Sequence, residues 1–285
     1  MERQTERRRP TARRIGLYTV LGALVAFYLL PLEAGIMTSI KTSDAFARTV
    51  PFAPPGPDGF TLSAWGTAWE TLRPMLVDSV LLAVPAALLS ALFGSLAAYG
   101  LTNVDWRGQV AVVVLFVAGI FIPYQAVLVP LARFWRAIEL FGVFGGYESL
   151  VHLIITHTAY GIPITTLLFR AYYKNFSSEM LEAARLDGAS TFGVYRSIVL
   201  PLSTPMFAVT LIYQFTQVWN DLLFALILLS GADSSVVTLG LAQLGGGLVS
   251  TFNTEMAGAF IAAFPTLLVY IIFGDKFARG VAGQT

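Results

Sequence analysis

The chain has 285 residues, 56% of them hydrophobic and 12% charged, with a formal net charge of +1, and its mean hydropathy is +0.70. Soluble globules carry about a quarter of their residues as charges, so this composition excludes a conventional polar surface and makes lipid the solvent. No basic face for nucleic acid exists beyond the first residues, and the absence of cysteine rules out disulfides and thiolate metal sites. The two histidines, His152 and His157, do not have the i, i+4 spacing of a helical metal pair. They are read as polar residues of a membrane segment, not as ligands.

In chain order, residues 1–14 form a basic arm containing Arg3, Arg7, Arg8, Arg9, Arg13 and Arg14, followed by an apolar run from Ile15 to about Ile40. A secretory leader would have a shorter core and then a soluble domain. Here further apolar segments follow, so the run is predicted to be a retained first span. The others are predicted at about Asp78–Leu101, Val110–Phe134, Leu150–Phe169, Pro201–Leu229 and Met256–Phe273, each near the roughly 20 residues needed to cross hydrocarbon. The expected fold class is therefore all-α and polytopic, with six spans. A single transmembrane domain covers 15–275, a cytoplasmic loop lies at about 171–200 within it, and 276–285 form a short tail.

Basic residues favour the cytoplasmic side. With the N-terminus inside, 13 of the 18 fall on that side: the six arm arginines, Arg107, Arg170, Lys174, Arg185, Arg196, Lys276 and Arg279. Lys41, Arg48, Arg73, Arg133 and Arg136 fall outside. Both termini and the 171–200 loop are thus expected to be cytoplasmic.

The outer segment from Lys41 to Val77 holds Pro51, Pro54, Pro55, Pro57, Trp65 and Trp69. It suits either an ordered cap with an interfacial helix near Leu62–Leu72 or a simple aromatic belt. Pro31, Pro85, Pro123, Pro130, Pro163 and Pro265 fall within predicted spans, a pattern compatible with kinked helices around a cavity.

From Ser178 to Pro205 a polar stretch interrupts the apolar sequence. Ser178 is positioned as an N-cap with Glu179 in the first turn, Gly188 as a helix stop, and Ser190 or Thr191 as the cap of a second helix that Pro201 limits. No phosphate-binding loop exists, because none of Lys41, Lys174 and Lys276 follows glycine. Energy must come from a partner or a gradient. A membrane hydrolase would need a nucleophile elbow, a His-Glu-x-x-His helix or paired membrane aspartates, and none is present.

Few polar groups enter the spans. Tyr213, Gln214, Gln217, Trp219, Asn220 and Asp221 cluster in the fifth, offering hydroxyl, amide and carboxylate partners and an indole face for a polyol. Hydrogen bonds gluing helices together explain the same residues equally well. Glu33, in the outer half of the first span, reads as structural or as wetted at a cavity rim.

Glu182-Ala183-Ala184, three residues, Gly188, nine residues, then Ile198-x-Leu200-Pro201 resembles the cytoplasmic EAA motif of the membrane subunits of binding-protein-dependent ABC importers. With the six-span layout, Leu30-Pro31, Ser39-Ile40-Lys41 and Trp219-Asn220, nearly the whole chain resembles their carbohydrate-uptake branch. The likeness is greatest to the smaller membrane subunit of maltose-type systems. The resemblance implies a type I importer transmembrane fold in a bacterial or archaeal cytoplasmic membrane. It also implies a second permease subunit, two ATPase subunits that hold ATP and Mg, and an extracytoplasmic binding protein. Glu182, Ala183, Ala184, Asp187, Gly188 and Ala189 would form the coupling helix in an ATPase cleft. The loop at Gly240–Thr251, with Gly245, Gly246 and Gly247, would probe the binding protein. The tail from Phe277 follows the family's glycine-rich, lysine-containing ending only loosely. Sugars, polyols and glycerol phosphates are all carried by near relatives of this kind, and a secondary transporter is the alternative class.

Overall fold

The computed structural model describes residues 12–138, 143–246 and 251–281. The far N-terminal arginines, Gly247 and the last four residues lie outside them. The described chain is helical almost throughout: α1 Ala12–Ser39, α2 Ser43–Arg48, α3 Ser63–Asn103, α4 Gln109–Ile120, α5 Tyr124–Ala137, α6 Glu148–Tyr173, α7 Ser178–Leu186, α8 Thr191–Val194, a π-helical turn Tyr195–Val199, α9 Leu200–Leu202, α10 Thr204–Trp219, α11 Leu223–Leu228, α12 Val237–Gly245 and α13 Phe252–Val281. Four helices (α1, α3, α6 and α13) are long and apolar enough to cross a membrane, and the number becomes six if two bent helix pairs are each counted as one span.

The bends correct the expectation of six plain helices. In place of a continuous third span, α4 and α5 meet at 99° across Phe121–Pro123. Proline has no N–H to continue the helix and disfavours α geometry in the residue before it, here Ile122. The expected fifth span, Pro201–Leu229, is also divided. Thr191–Leu202 meets α10 at 76°, and α10 ends at Trp219 before α11 begins at Leu223. The second break is set by Asp221, whose Oδ2 accepts the Phe224 and Ala225 amides at 3.1 and 3.3 Å and so starts a new helix. The separate interfacial helix expected near Leu62–Leu72 is absent, because those residues open α3. At 41 residues, α3 is about 60 Å long, twice the roughly 30 Å of bilayer hydrocarbon, and it accommodates both Pro74 and Pro85.

The chain folds as two compact units. The first comprises Met1–Trp69 with Leu244–Phe260. Its α1 exposes apolar side chains along most of its length, as a helix solvated by lipid does. Beyond α1, Lys41 is fully buried. Its Nζ donates to the carbonyls of Val50 and Pro51 at 2.8 and 3.2 Å, and its carbonyl accepts from Asn253 Nδ2. Lys41 also bridges to Phe60, while Trp65 donates to Ser39 and stacks on Phe260. The proline-rich segment is thus ordered around one ammonium.

The second unit comprises Glu70–Gln243 and Ile261–Thr285. Here α3 presents a buried stripe of small residues that includes Ser79, Ala83, Ala86, Ser90, Ala91, Ser95 and Ala98, which lets neighbouring backbones approach closely in the absence of a hydrophobic driving force between lipid-solvated helices. Thr165 Oγ1 of α6 donates to the Ser90 carbonyl at 2.9 Å. Gly161 of α6 sits where a Cβ would collide with Ser90 Oγ of α3 and the Gln214 amide of α10, so three helices meet at a residue with no side chain. Gly161→Val should overpack this junction by about 1–3 kcal/mol and lower the yield of monodisperse detergent-solubilised protein, with Gly161→Ala intermediate. Equal yields for Val and wild type would contradict the close approach.

Candidate functional site

Two polar regions of the second unit stand out. The first is the segment after α6. Ser177, one residue before the expected cap, is extended and accepts from the Met180 amide through Oγ at 3.2 Å. The cap shifts because Ser177 and not Ser178 has the non-helical backbone that places a side-chain oxygen over the first turn. The Ser177 hydroxyl also donates to Glu179 at 2.6 Å and holds that carboxyl below its usual pKa range. At the other end Gly188 has φ +88°. Its N–H bonds the Arg185 carbonyl and that of Ala189 bonds the Ala184 carbonyl, the paired 5→2 and 6→1 bonds of a Schellman stop. Ser190 caps α8 through the Gly193 amide.

The helix therefore spans Ser178–Leu186, starting earlier than the expected Glu182–Ala189, with Asp187, Gly188 and Ala189 forming its stop. Glu182 and Ala183 are exposed, as are Leu186, Asp187 and Gly188, whereas Ala184 and Ala189 are half-buried. Glu182 borders a groove of about 410 Å³ shared with Asp105, Lys174 and Arg185.

Leu181 anchors α7 from below, buried with Tyr99, Phe169, Tyr173, Val194 and Tyr195, while Arg185 donates to the Asn103 carbonyl at the end of α3. Beneath lies a buried network. Ser95 Oγ of α3 shares hydrogen bonds with Tyr173 OH of α6 at 2.7 Å and Tyr195 OH of the π turn at 2.8 Å. Tyr99 OH donates to the Thr191 carbonyl. The segment is thus tied to the ends of two long helices by polar bonds, in an environment where water offers no substitute.

The second region is a cavity of about 350 Å³ lined by Tyr124, His157, Tyr160, Ile164, Tyr213, Gln214, Gln217, Asn220 and Asp221 among others. An adjoining cavity of about 420 Å³ shares Tyr124, Tyr160, Ile164, Tyr213 and Gln217. Fully buried Phe224 packs against Tyr124, Tyr160 and His157. The cavity exists because both helix breaks open onto it. Of the six residues predicted in the fifth span, five line it: Tyr213, Gln214, Gln217, Asn220 and Asp221. Trp219 does not. It is buried, stacks on Phe215 and donates its Nε1–H to the Ala262 carbonyl at 2.9 Å, which ties α10 to α13. Residue-level reading had missed Tyr124, His157 and Tyr160, although the i, i+3, i+7 recurrence of His157, Tyr160 and Ile164 on α6 was a legible face signal. Gly245 ends α12 and Gly246 follows it, while Gly247 lies outside the described residues. Among the described residues no group of three or more metal-ligating side chains converges.

A bundle with broken helices around a polar cavity, and a capped helix pinned across the ends of two spans, is built to move solute and to transmit motion. It is the membrane-spanning permease subunit of a primary transporter and not an enzyme. The chain belongs to the family of binding-protein-dependent transport system inner membrane components, which matches residues 80–275. It is 48% identical to the xylose/arabinose import permease protein XacI of Haloferax volcanii, over 94% of this chain and 92% of that one. It is 31% identical to the alpha-glucoside transport system permease protein AglG of Rhizobium meliloti, over 86% of this chain and 65% of that one. The fold matches a chain of a bacterial ABC transporter involved in the import of the acidic polysaccharide alginate, with a TM-score of 0.75, 20% identity, and coverage of 92% of this chain and 95% of that one.

Removing the hydroxyl at the centre of the Ser95 network leaves two buried tyrosine hydroxyls without that partner. Ser95→Ala should cost about 1–3 kcal/mol, read as a lower melting temperature in detergent. Adding Tyr173→Phe and Tyr195→Phe to it should recover part of the loss, and a fully additive triple variant would show that the three do not act as one network.

Proposed function

We propose that this chain is one half of the translocation pathway of an ATP-driven sugar importer. The family assignment and the identity to a xylose/arabinose permease support the substrate class. In this reading residues 15–275 act as one permease domain beside a second, related permease subunit. Two ATPase subunits bind ATP and Mg and receive the α7 segment in a cleft. An extracytoplasmic binding protein delivers sugar, and Gly245, Gly246 and Gly247 contact it. Closure of the ATPase pair moves α7, and the Ser95 network passes that movement to α3 and α6, so that the cavity faces first outward and then inward. Tyr213, Gln214, Gln217, Asn220 and Asp221 line the sugar's path, while Trp219 holds α10 in place.

The observation that carries this reading is the α7 segment. Its helix is capped at both ends and rooted by Leu181, yet it presents Glu182 and the 89% exposed Leu186 to solvent. An ionised carboxylate beside an apolar side chain on a firmly held helix is the chemistry of a partner surface. Glu182 pairs with a base in the ATPase, and Gly188 supplies a backbone conformation that a β-branched residue resists.

Glu182→Ala removes one member of an interfacial charge pair, a loss of about 2–5 kcal/mol. It should abolish binding-protein-stimulated ATP hydrolysis by the reconstituted complex while the chain still reaches the membrane. Gly188→Val should do the same and Gly188→Ala less. Normal stimulation with normal ATPase-subunit retention in the Glu182 and Gly188→Val variants would remove the coupling role.

The distribution of basic residues further supports cytoplasmic termini in a bacterial or archaeal cytoplasmic membrane. A reporter active only outside the cytoplasm should give signal when fused at Gly56 and none at Gly193. Signal at Gly193 would reverse the topology.

A further inference from the structure

The cavity contains one polar atom that nothing in the fold uses. His157 is 5% exposed, and its Nε2 has no hydrogen-bond partner, although it lies 3.5 Å from Asp221 Oδ2 and borders the cavity. An unsatisfied buried ring nitrogen carries a desolvation cost that a ligand hydroxyl relieves. Asp221 is fixed independently, since the Phe224 and Ala225 amides bind its Oδ2 and Thr238 Oγ1 donates to its carbonyl at 2.7 Å. The carboxylate is therefore a permanent feature of the wall and does not swing aside. Neither this cavity nor the adjoining one is lined by lysine or arginine, so nothing in this wall compensates a second negative charge. The remaining polar groups are tyrosine hydroxyls and the amides of Gln214, Gln217 and Asn220, which bind neutral hydroxyl groups.

We propose that His157 and Asp221 form a specificity subsite, in which His157 Nε2 takes a hydroxyl of a neutral polyhydroxylated solute and the fixed Asp221 carboxylate rejects sugar acids and sugar phosphates. The inference rests on the reading of this cavity as part of the sugar path. Discrimination then comes from a repulsive element as much as from an attractive one.

The chain contains no cysteine, so a single thiol can report on the cavity. Ile164 lines both cavities and is aliphatic, and in the assembled complex, without binding protein, alkylation of Ile164→Cys is followed with D-xylose, D-glucose or D-glucuronate as protectant. The neutral sugars should protect, and D-glucuronate should do so roughly tenfold less well or worse. His157→Ala should weaken protection by D-glucose about tenfold, and His157→Gln, which restores a polar group, should hold it within about threefold. Asp221→Asn keeps a side-chain oxygen for the Phe224 and Ala225 amides, so α11 stays capped. It should leave protection by D-glucose within about threefold and raise D-glucuronate to a similar level. Equal protection by D-glucose and D-glucuronate in the unaltered background, or a neutral preference unchanged in Asp221→Asn, would overturn the subsite and leave the pathway standing. Lack of protection by any of the three sugars in the unaltered background would overturn the pathway reading itself.

Discussion

Hydrocarbon supplies no hydrogen bonds, so a chain that leaves helical geometry at membrane depth must satisfy its backbone from within the protein. The two helix breaks of the second unit obey this constraint by different means. At Phe121–Pro123 the amides of Phe121 and Ile122 turn back onto Ala118 and Gly119, and the next residue has no amide. At Asn220–Leu222 the Asn220 and Asp221 amides bond to Thr216 and Val218, the Asp221 side chain receives two amides of the following helix, and its carbonyl accepts from Thr238. Each break thereby frees side chains to line a polar space without leaving a backbone group exposed to lipid. The cavity is a consequence of where the helices are allowed to stop.

The segment after α6 depends on the same accounting carried out in a wetter place. Its helix has nine residues, too few to persist alone in water, and is held by Ser177 at one end, by the Schellman bonds around Gly188 at the other, and by Leu181 beneath. The hydroxyls of Ser95, Tyr173 and Tyr195 connect it to α3 and α6 without any charged group. The connection therefore keeps its strength across pH and salt, while the charges on the exposed face remain available to a partner.

Much of this was legible in the sequence. Glu-Ala-Ala, Gly188 and Leu200-Pro201 at fixed spacing indicated a capped helix, a positive-φ stop and a second short helix, since each residue type there has one dominant backbone use. The hydropathy indicated where the spans lie. It was blind to the bends, because both limbs of each broken span are apolar and a window average does not register direction. Proline at 123 was visible, but Pro31, Pro85, Pro130, Pro163 and Pro265 lie inside unbroken helices, so proline alone does not separate the cases. Trp219 and Asn220 are neighbours in sequence and part company in space, since consecutive helical residues point about 100° apart. His157 looked ordinary because its significance lies in a bond it does not make, which only the packed neighbours reveal.

The π-helical turn at Tyr195–Val199 has a consequence for how such a sequence can change over time. A turn with i→i+5 bonds accommodates one more residue than an α turn, so the interval between Gly188 and Leu200-Pro201 encodes a count as well as a composition. Substitutions within it alter packing locally. Loss of one residue would close the turn to α geometry and rotate everything on one side by about 100° relative to the other, carrying the Tyr195 hydroxyl away from Ser95. Insertions and deletions are therefore a different class of event here from replacements, and lineages are free to vary the letters of this interval far more readily than its length.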